Sequence, residues 1–487
     1  MKLDLVVRNG NVVTATEEAF CDIGIAGGRI AAIAKKLDSA EREIDADGHY
    51  IFPGGIDSNC HIEQPSSSGL SCADDFYSGT VSAAFGGTTT IVSFAAQHRG
   101  DSLKKIVSGY HARAKAKAVV DYAFHLFLSD PTETVLRDEL PELIRNGYSS
   151  VKVSTSCDGL RLDDYQILEV LSLARREGAL TMVQAENHDM IRWLTERLLY
   201  RGARVSGYHA VAHPRLAESE AVSRTIALAE LVDAPILILH VSSDEALAAI
   251  RRAQGRGLKV YAETCPQYLF FTADDLEGEG KEGARFCCSP PPRDQKAQEA
   301  MWRGLSDGTF QILSSDHASY RFDETGKLAS IAEARFDEIA DGVPGLEVRM
   351  PLLFSEGVRG GRIDIHRFVE LTSTRAAKLY GMFPQKGSIS IGADADLVIW
   401  DAEREVVIES GKLHDNSGYT PYEGRRLTGW PITVLSRGRV VVADGALQAE
   451  RGSGAFVARE KPEAADPTGR PVPEWQLARR LGTSEAW

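Results

Sequence analysis

Ile51-Phe-Pro-Gly-Gly-Ile-Asp-Ser-Asn-Cys-His61 runs from a short apolar, strand-like segment into a polar end. In a strand, residues i and i+2 point to the same face, so Asn59 and His61 are expected to look together into one pocket. A histidine at both positions would make a His-x-His metal pair. Here the first is asparagine, whose amide oxygen is a weaker and harder donor than imidazole.

Seven further short, β-rich apolar runs follow, at 89–94, 120–128, 150–153, 180–183, 235–239, 258–262 and 310–313, separated by longer amphipathic segments. Such alternation marks βα units around a parallel sheet. With the run at 51–56 there are eight, which predicts an α/β fold of the (β/α)8 TIM-barrel type. The helix signal is clear over 163–178. Ile167, Val170, Leu171 and Ala174 recur on one face, Asp163 and Asp164 load the first turn, and Gly178 ends it.

The residues at the C-terminal ends of these runs carry the functional reading, because that face of such a barrel holds the active site. Asn59 and His61 follow the first run, His125 lies in the third, and Lys152 in the fourth. Gln184 and Glu186 follow the fifth, His240 the sixth, Glu263 the seventh and Asp316 the eighth. Singly, a strand-end His or Lys reads as a hydrogen-bonded structural residue; together, in barrel order, they read as one site.

Outside the barrel, the first fifty residues alternate short strand patterns with turns such as Asn9-Gly and Gly27-Gly, and similar patterning returns near Gly392 to Trp400 and Val434 to Val442. The two ends are expected to pair. The division reads as 1–51 and 379–458 for the two parts of a small β-sandwich, 52–378 for the barrel and 459–487 for a C-terminal arm. The Pro-, Glu- and Arg-rich arm reads either as disorder or as a strap across a neighbouring subunit.

Composition narrows the class. The 487 residues are 43% apolar and 25% charged, ordinary for a soluble protein with one large domain and a smaller one. With 69 acidic against 55 basic residues the net charge is −14, which argues against unguided binding to nucleic acid or anionic membrane and for small-molecule chemistry. No apolar run approaches the roughly 20 residues that cross a bilayer. The start Met1-Lys-Leu-Asp-Leu lacks the apolar region of a signal peptide, so a cytoplasmic location is expected. The seven cysteines are odd in number and show no CxxC spacing, so they read as reduced core residues.

Lys152 sits in Ser150-Val-Lys-Val-Ser, where flanking valines imply a strand buried on both faces. An unpaired ammonium there is costly. Desolvation lowers its pKa and frees a neutral amine that can add carbon dioxide and become a carbamate able to bridge two cations. The alternative is an unmodified Lys152 paired to Asp316 or Glu186.

A set of longer motifs occurs in fixed order: Pro53-Gly-Gly-Ile-Asp57, Asp74-Asp-Phe-Tyr-Ser-Gly-Thr80, Ala84-Phe-Gly-Gly-Thr-Thr-Thr90, Val151-Lys-Val153, Ala185-Glu-Asn187, His240-Val-Ser-Ser243, Glu263-Thr-Cys-Pro-Gln-Tyr268, Ser289-Pro-Pro291, Ser315-Asp-His317, Gly342-Val-Pro-Gly345 and Thr428-Gly-Trp-Pro431. Through these the chain resembles, over nearly its whole length, the dihydropyrimidinase and hydantoinase branch of the amidohydrolase superfamily. The resemblance implies an eightfold barrel with two metal ions bridged by a carboxylated lysine and a hydroxide. It places the metal ligands on Asn59, His61, Lys152, Gln184, His240 and Asp316, with Asp316 also the catalytic acid–base. It further implies a cyclic amide, imide or ureide substrate, zinc or manganese as the divalent ion, an N6-carboxylated Lys152, and a homotetramer or dimer.

Two of the six ligand positions, Asn59 and Gln184, depart from the family's histidines. Each metal would exchange one imidazole for an amide, which points to weaker binding, a single ion, or a harder ion. Cys60 and His188 are candidate substitutes, although Cys60 is expected to face away. The tyrosine that the family uses to polarise the substrate carbonyl falls on Cys157, a weak donor. The positions that grip the cyclic amide fall on Ser289 and Asp341, where the family has asparagine at the second. A carboxylate there favours a substrate with an extra donor or positive charge; its structural reading is a cap beside Gly342.

Three functions are compatible with these residues. The first is metal-dependent hydrolysis of a cyclic amide, imide or ureide. The second is a hydrolysis-deficient barrel with a binding or assembly role. The third is different chemistry in the same pocket, such as a lyase or a thiol hydrolase using Cys60 or Cys157.

Overall fold

The computed structural model describes residues 2–64, 70–278, 281–328, 335–470 and 472. Both chain ends meet in a nine-stranded sheet. Leu5–Val13 pairs with Glu18–Ala26, Leu397–Val407 with Arg426–Ser436, and Tyr50–Pro53 joins the halves, with Ile51 opposite Ile399 and Phe52 opposite Val398. The alternation seen in sequence has its cause in one buried face, where Val7, Ile23, Ile25, Ile51, Leu397 and Ile399 form a single apolar cluster.

The apolar run at 51–56 is two strands rather than one. Tyr50–Pro53 belongs to the small sheet, and the first barrel strand is Gly55–His61. The break falls at Gly54, where a Cβ would lie 2.0 Å from Thr89 Oγ1. Only a residue without a side chain lets the chain pass from sheet to barrel there.

Thr88–Ala96, Asp121–Phe127, Ser150–Ser154, Leu180–Gln184, Ile236–Ile238 and Val260–Thr264 follow the first strand in order, each parallel to the one before. The eighth strand is broken. Ile312–Leu313 pairs with the seventh strand and His317–Ala318 with the first, so the barrel closes through Ser314, Ser315 and Asp316. Gln184 and Glu263 therefore lie inside their strands rather than beyond them. At the heart of the closure Arg349 and Asp57, both fully buried, lie 3.4 Å apart.

The last residues of the sandwich segment and the first of the C-terminal arm cover the N-terminal end of the barrel. Gly454 N donates to Ala118 O, Val457 N to Tyr122 O and Arg459 N to Gly147 O, while the Arg459 guanidinium reaches Ser150 Oγ at 2.7 Å. Residues 471 and 473–487, and with them the far end of the expected strap, lie outside the described residues. Among the described residues no helix is long and apolar enough to cross a membrane.

The helix Asp164–Glu177 follows its sequence signals closely. Asp163 Oδ1 accepts from Gln166 N at 2.8 Å, Gln166 Oε1 accepts from Asp163 N at 3.1 Å, and Gly178 ends the helix at φ 82°. Replacing Asp163 by Ala removes the cap and should lower stability by about 1 kcal/mol. Denaturant unfolding of the variant measures this, with the m-value unchanged.

Candidate active site

At the C-terminal ends of the strands lies a cavity of about 210 Å³, large enough for a small ring rather than a polymer. His61, Phe127, Lys152, Cys157, Gln184, His240, Ser289 and Asp316 line it, with Tyr320 and residues 337–342 on the outer side. Of the nine residues that the resemblance assigns to metal or substrate, His61, Lys152, Cys157, Gln184, His240, Ser289, Asp316 and Asp341 are thus brought to one cavity. Asn59 is the exception. It is fully buried beneath, and its Nδ2 donates to Glu263 Oε1 at 2.6 Å. The expectation that Asn59 and His61 share the pocket is corrected on this point: the asparagine amide has a carboxylate partner across the barrel interior, while its own Oδ1 has no hydrogen-bond partner.

His61 Nδ1 is 3.0 Å from Gln64 Oε1, an acceptor, so the ring proton resides on Nδ1. That leaves the Nε2 lone pair facing Asp316 Oδ1 at 3.6 Å. Burial holds the imidazole below its ordinary pKa and therefore neutral. Two acceptors facing one another across this gap leave room for a proton or a cation between them. Asp316 is buried too, which by itself raises a carboxyl, but His61 and His240 outweigh burial and hold it below the ordinary carboxylate range. Gln267 Nε2 fixes its other oxygen at 3.3 Å.

Lys152 has neither hydrogen bond nor ion pair among the described residues. Its Nζ instead sits 4.0 Å from the Phe94 ring centre and 4.9 Å from that of Phe127. Burial brings the ammonium down to about 8, against an opposing pull from Asp316. Neither Asp316 nor Glu186 pairs with it, so the structural alternative read from sequence is not realised. His240 Nδ1 is likewise buried without a partner.

Three cavity residues other than glycine, Cys157 (φ 69°), His240 (φ 36°) and Asp316 (φ 50°), occupy the left-handed region. Such conformations cost on the order of 1–3 kcal/mol each and persist where the surroundings over-determine them. Gln184 Nε2 lies 3.9 Å from Cys157 Sγ, and burial pushes that thiol up to about 12. Cys60 points into the apolar core, where burial pushes its thiol well up too. Neither offers a thiolate at neutral pH, which removes the basis for the thiol-hydrolase reading. His188 lies against Asp158, away from the cavity lining, so neither substitute ligand considered from sequence reaches the site.

A network behind the cavity wall was not legible in sequence. Glu186, fully buried, accepts from Ser289 Oγ at 2.7 Å and from His213 Nδ1 at 3.0 Å. Burial alone would raise its carboxyl, but the charge and hydrogen bond of His213, with Ser289 and Arg293, bring it down to about 2. Glu186 followed a strand and could be noticed, whereas His213 lies in the connection after the next helix with no spacing to mark it. A fall from the ordinary 4.5 to about 2 is worth about 3 kcal/mol at about 1.4 kcal/mol per tenfold. The stabilisation is present above pH 4.5 and lost as pH falls through 2. Glu186→Gln should therefore lose up to about 3 kcal/mol at neutral pH and show a flatter stability profile between those limits, measured by denaturant unfolding at several pH values.

The donor set fits a divalent cation in kind. His61 Nε2 and Asp316 Oδ1 face one another, His240 has an unpartnered nitrogen, and a desolvated amine stands among them. It falls short in number: no three His, Cys, Asp or Glu side chains among the described residues converge as a metal cluster. Conversion of Lys152 to a carbamate would supply the missing anionic oxygens.

A barrel closed through Asp316, with this donor set at its C-terminal mouth, defines a class, and sequence comparison agrees: residues 50–441 match the amidohydrolase family, to which this chain belongs. Within it the match is to the hydantoinase and dihydropyrimidinase branch. The chain is 42% identical over 463 residues to the D-hydantoinase of Ralstonia pickettii, covering 94% of this chain and 99% of that one. It is 43% identical over 459 residues to the D-hydantoinase of Geobacillus stearothermophilus, covering 94% and 96%. The crystal structure of dihydropyrimidinase from Brevibacillus agri superimposes with a TM-score of 0.91 at 41% identity, covering 94% and 99%.

Proposed function

We propose that this chain hydrolyses the ring C–N bond of a cyclic amide, imide or ureide of the hydantoin or dihydropyrimidine kind. The observation that carries the proposal is the pair of facing acceptors, His61 Nε2 and Asp316 Oδ1, beside an unpartnered Lys152 in a cavity sized for a small ring. The similarity to D-hydantoinases over 94% of the chain supports the same reading.

In this reading Asp316 is the catalytic acid–base. Its ionised carboxylate takes a proton from the attacking water and returns it to the leaving ring nitrogen, so that one water adds across the C–N bond. Gln267 holds one carboxylate oxygen in place for that transfer, which leaves the other facing His61. His61, His240, Asp316 and a carboxylated Lys152 would hold the divalent ion, zinc or manganese, with Gln184 at the margin. Such an ion supplies Lewis-acid polarisation of the ring carbonyl and a lowered pKa for bound water. Ser289 and Asp341 accept hydrogen bonds from the substrate, and Cys157 contributes only a weak donor. A homo-oligomer is part of the proposal, supported by Trp193, Tyr200 and Leu216, which are well exposed on two neighbouring helices.

One observation favours the second reading, a barrel with a binding role: Asn59 lies buried beneath the cavity lining, with its Nδ2 turned to Glu263. Turnover decides between them. Protein prepared with zinc or manganese and bicarbonate should convert substituted hydantoins or dihydropyrimidines to ring-opened carbamoyl acids, each heavier by one water. Absence of any such product at every metal loading would overturn the hydrolytic reading.

A further inference from the structure

Asp316 closes the barrel at φ 50°, a left-handed conformation that a residue other than glycine keeps only where its surroundings impose it. Two buried anchors flank it. On the N-terminal side Ser315 N donates to Asp57 Oδ1 at 3.2 Å, and Asp57 lies against Arg349. On the C-terminal side stands His317, whose side chain is fully buried. Gly345 N and Leu346 N approach its Nδ1 at 3.2 and 3.4 Å, so that nitrogen accepts and the ring proton is on Nε2. Nε2 donates in turn to Asp74 Oδ2 at 3.1 Å.

Asp74, equally buried, is held from a second direction. Its Oδ1 accepts from Asn416 N at 3.0 Å, and Asn416 Nδ2 reaches Ala73 O at 3.4 Å. Asn416 belongs to the other domain. It lies in the connection 408–425 between two strands of the small sheet, Leu397–Val407 and Arg426–Ser436. An antiparallel pair needs only about 2–5 residues to turn. The rest of this connection is spent on the segments around Asp316. His414 N donates to Glu347 Oε2 at 2.9 Å, next in sequence to the Leu346 amide that meets His317, and Ser417 O accepts from Phe322 N at 3.2 Å.

We propose that the 408–425 connection of the small sheet is a positioning element for the catalytic Asp316, acting through Asn416, Asp74 and His317 in series. The inference rests on the hydrolytic reading, because it assigns how that reading's acid–base is aimed. Asp74, His317 and Asn416 are not among the residues that line the cavity, so each acts through the backbone that carries Asp316.

Asp74→Asn tests the series with little change of shape. The amide must turn its NH2 toward one of two donors, His317 Nε2 or Asn416 N, and so breaks one link. In metal-loaded protein acting on a substituted hydantoin, kcat per bound ion should fall about thirtyfold with KM within about threefold, since a small displacement of the acid–base is felt in the transition state. A purely structural role would lower the melting temperature and leave kcat per folded, loaded site unchanged. His317→Leu should show the same loss, and His317→Gln, which keeps an N–H able to reach Asp74, should recover most of it. Asn416→Pro removes the main-chain donor and should cost about tenfold in kcat; added to Asp74→Asn it should cost little more, because both break one series. Wild-type kcat per loaded site in either Asp74→Asn or Asn416→Pro overturns the inference. Amide hydrogen exchange over residues 312–320 needs no turnover and should be about tenfold faster in Asp74→Asn. If the wild-type protein opens no ring, the hydrolytic reading fails by itself, whereas equal exchange in the two proteins overturns the positioning series.

Discussion

Asp316→Asn should lower kcat about a thousandfold, or about 4 kcal/mol of transition-state stabilisation, with KM changed by less than about threefold. The substitution keeps the shape of the side chain and an oxygen that can still accept from Gln267, so the break in the eighth strand through which the barrel closes is preserved. What disappears is the capacity to take a proton from water and give it to a ring nitrogen. That act occurs only in the transition state, so the loss belongs in kcat rather than KM. Steady-state kinetics on a substituted hydantoin measure it, and an unchanged melting temperature excludes a folding defect. A kcat within tenfold of wild type would remove Asp316 from the proton transfer.

Lys152→Met should abolish measurable ring opening while making the protein more stable. The two effects have one cause. In the unmodified protein Lys152 is an ammonium without hydrogen bond or ion pair, brought from 10.5 to about 8 by burial. The unfolded chain binds the proton more tightly, so folding stability rises with pH between those values, and the penalty is fully present below pH 8. At about 1.4 kcal/mol per tenfold it amounts to at most about 3 kcal/mol at neutral pH. Methionine fills a similar volume and carries no charge, so the variant should gain up to that amount at pH 7, and the gain should vanish above about pH 10.5. Bicarbonate and metal should stabilise wild type but not the variant, because only the lysine can become the carbamate. Stability curves with and without both additions give the answer. A variant less stable than wild type without metal would show that Lys152 is a structural residue. The trade of stability for activity at one buried position is what a functional site is expected to show.

The barrel was legible because its signal is repetitive. Eight apolar runs, seven of them carrying a polar residue in or just past the run, are hard to produce by any other arrangement, and helix 164–177 has its cap, its apolar face and its terminal glycine in sequence order. The details that failed share a different cause. Periodicity gives the face on which a side chain lies but not how deep along the strand it sits, so Asn59 was placed beside His61 although it lies below, tied to Glu263. The run at 51–56 was divided by close packing of Gly54 against Thr89, a contact between residues far apart in sequence. The pairing of Glu186 with His213 has the same character: it joins a strand end to a connection 27 residues away and leaves no local pattern. Left-handed backbone at Cys157, His240 and Asp316 could not be anticipated, since none is glycine and each is held there by its surroundings.

The central claim is that a barrel lacking two of the family's imidazoles still opens a cyclic amide with Asp316, around a cation held through Lys152. The most direct measurement is ring opening of a substituted hydantoin followed against metal bound per chain, on one preparation titrated with zinc or manganese in bicarbonate. Turnover should be negligible in metal-free protein, rise in proportion to bound ion and saturate at a fixed stoichiometry of one or two per chain. A protein that takes up the ion in that proportion and forms no ring-opened product would contradict the account.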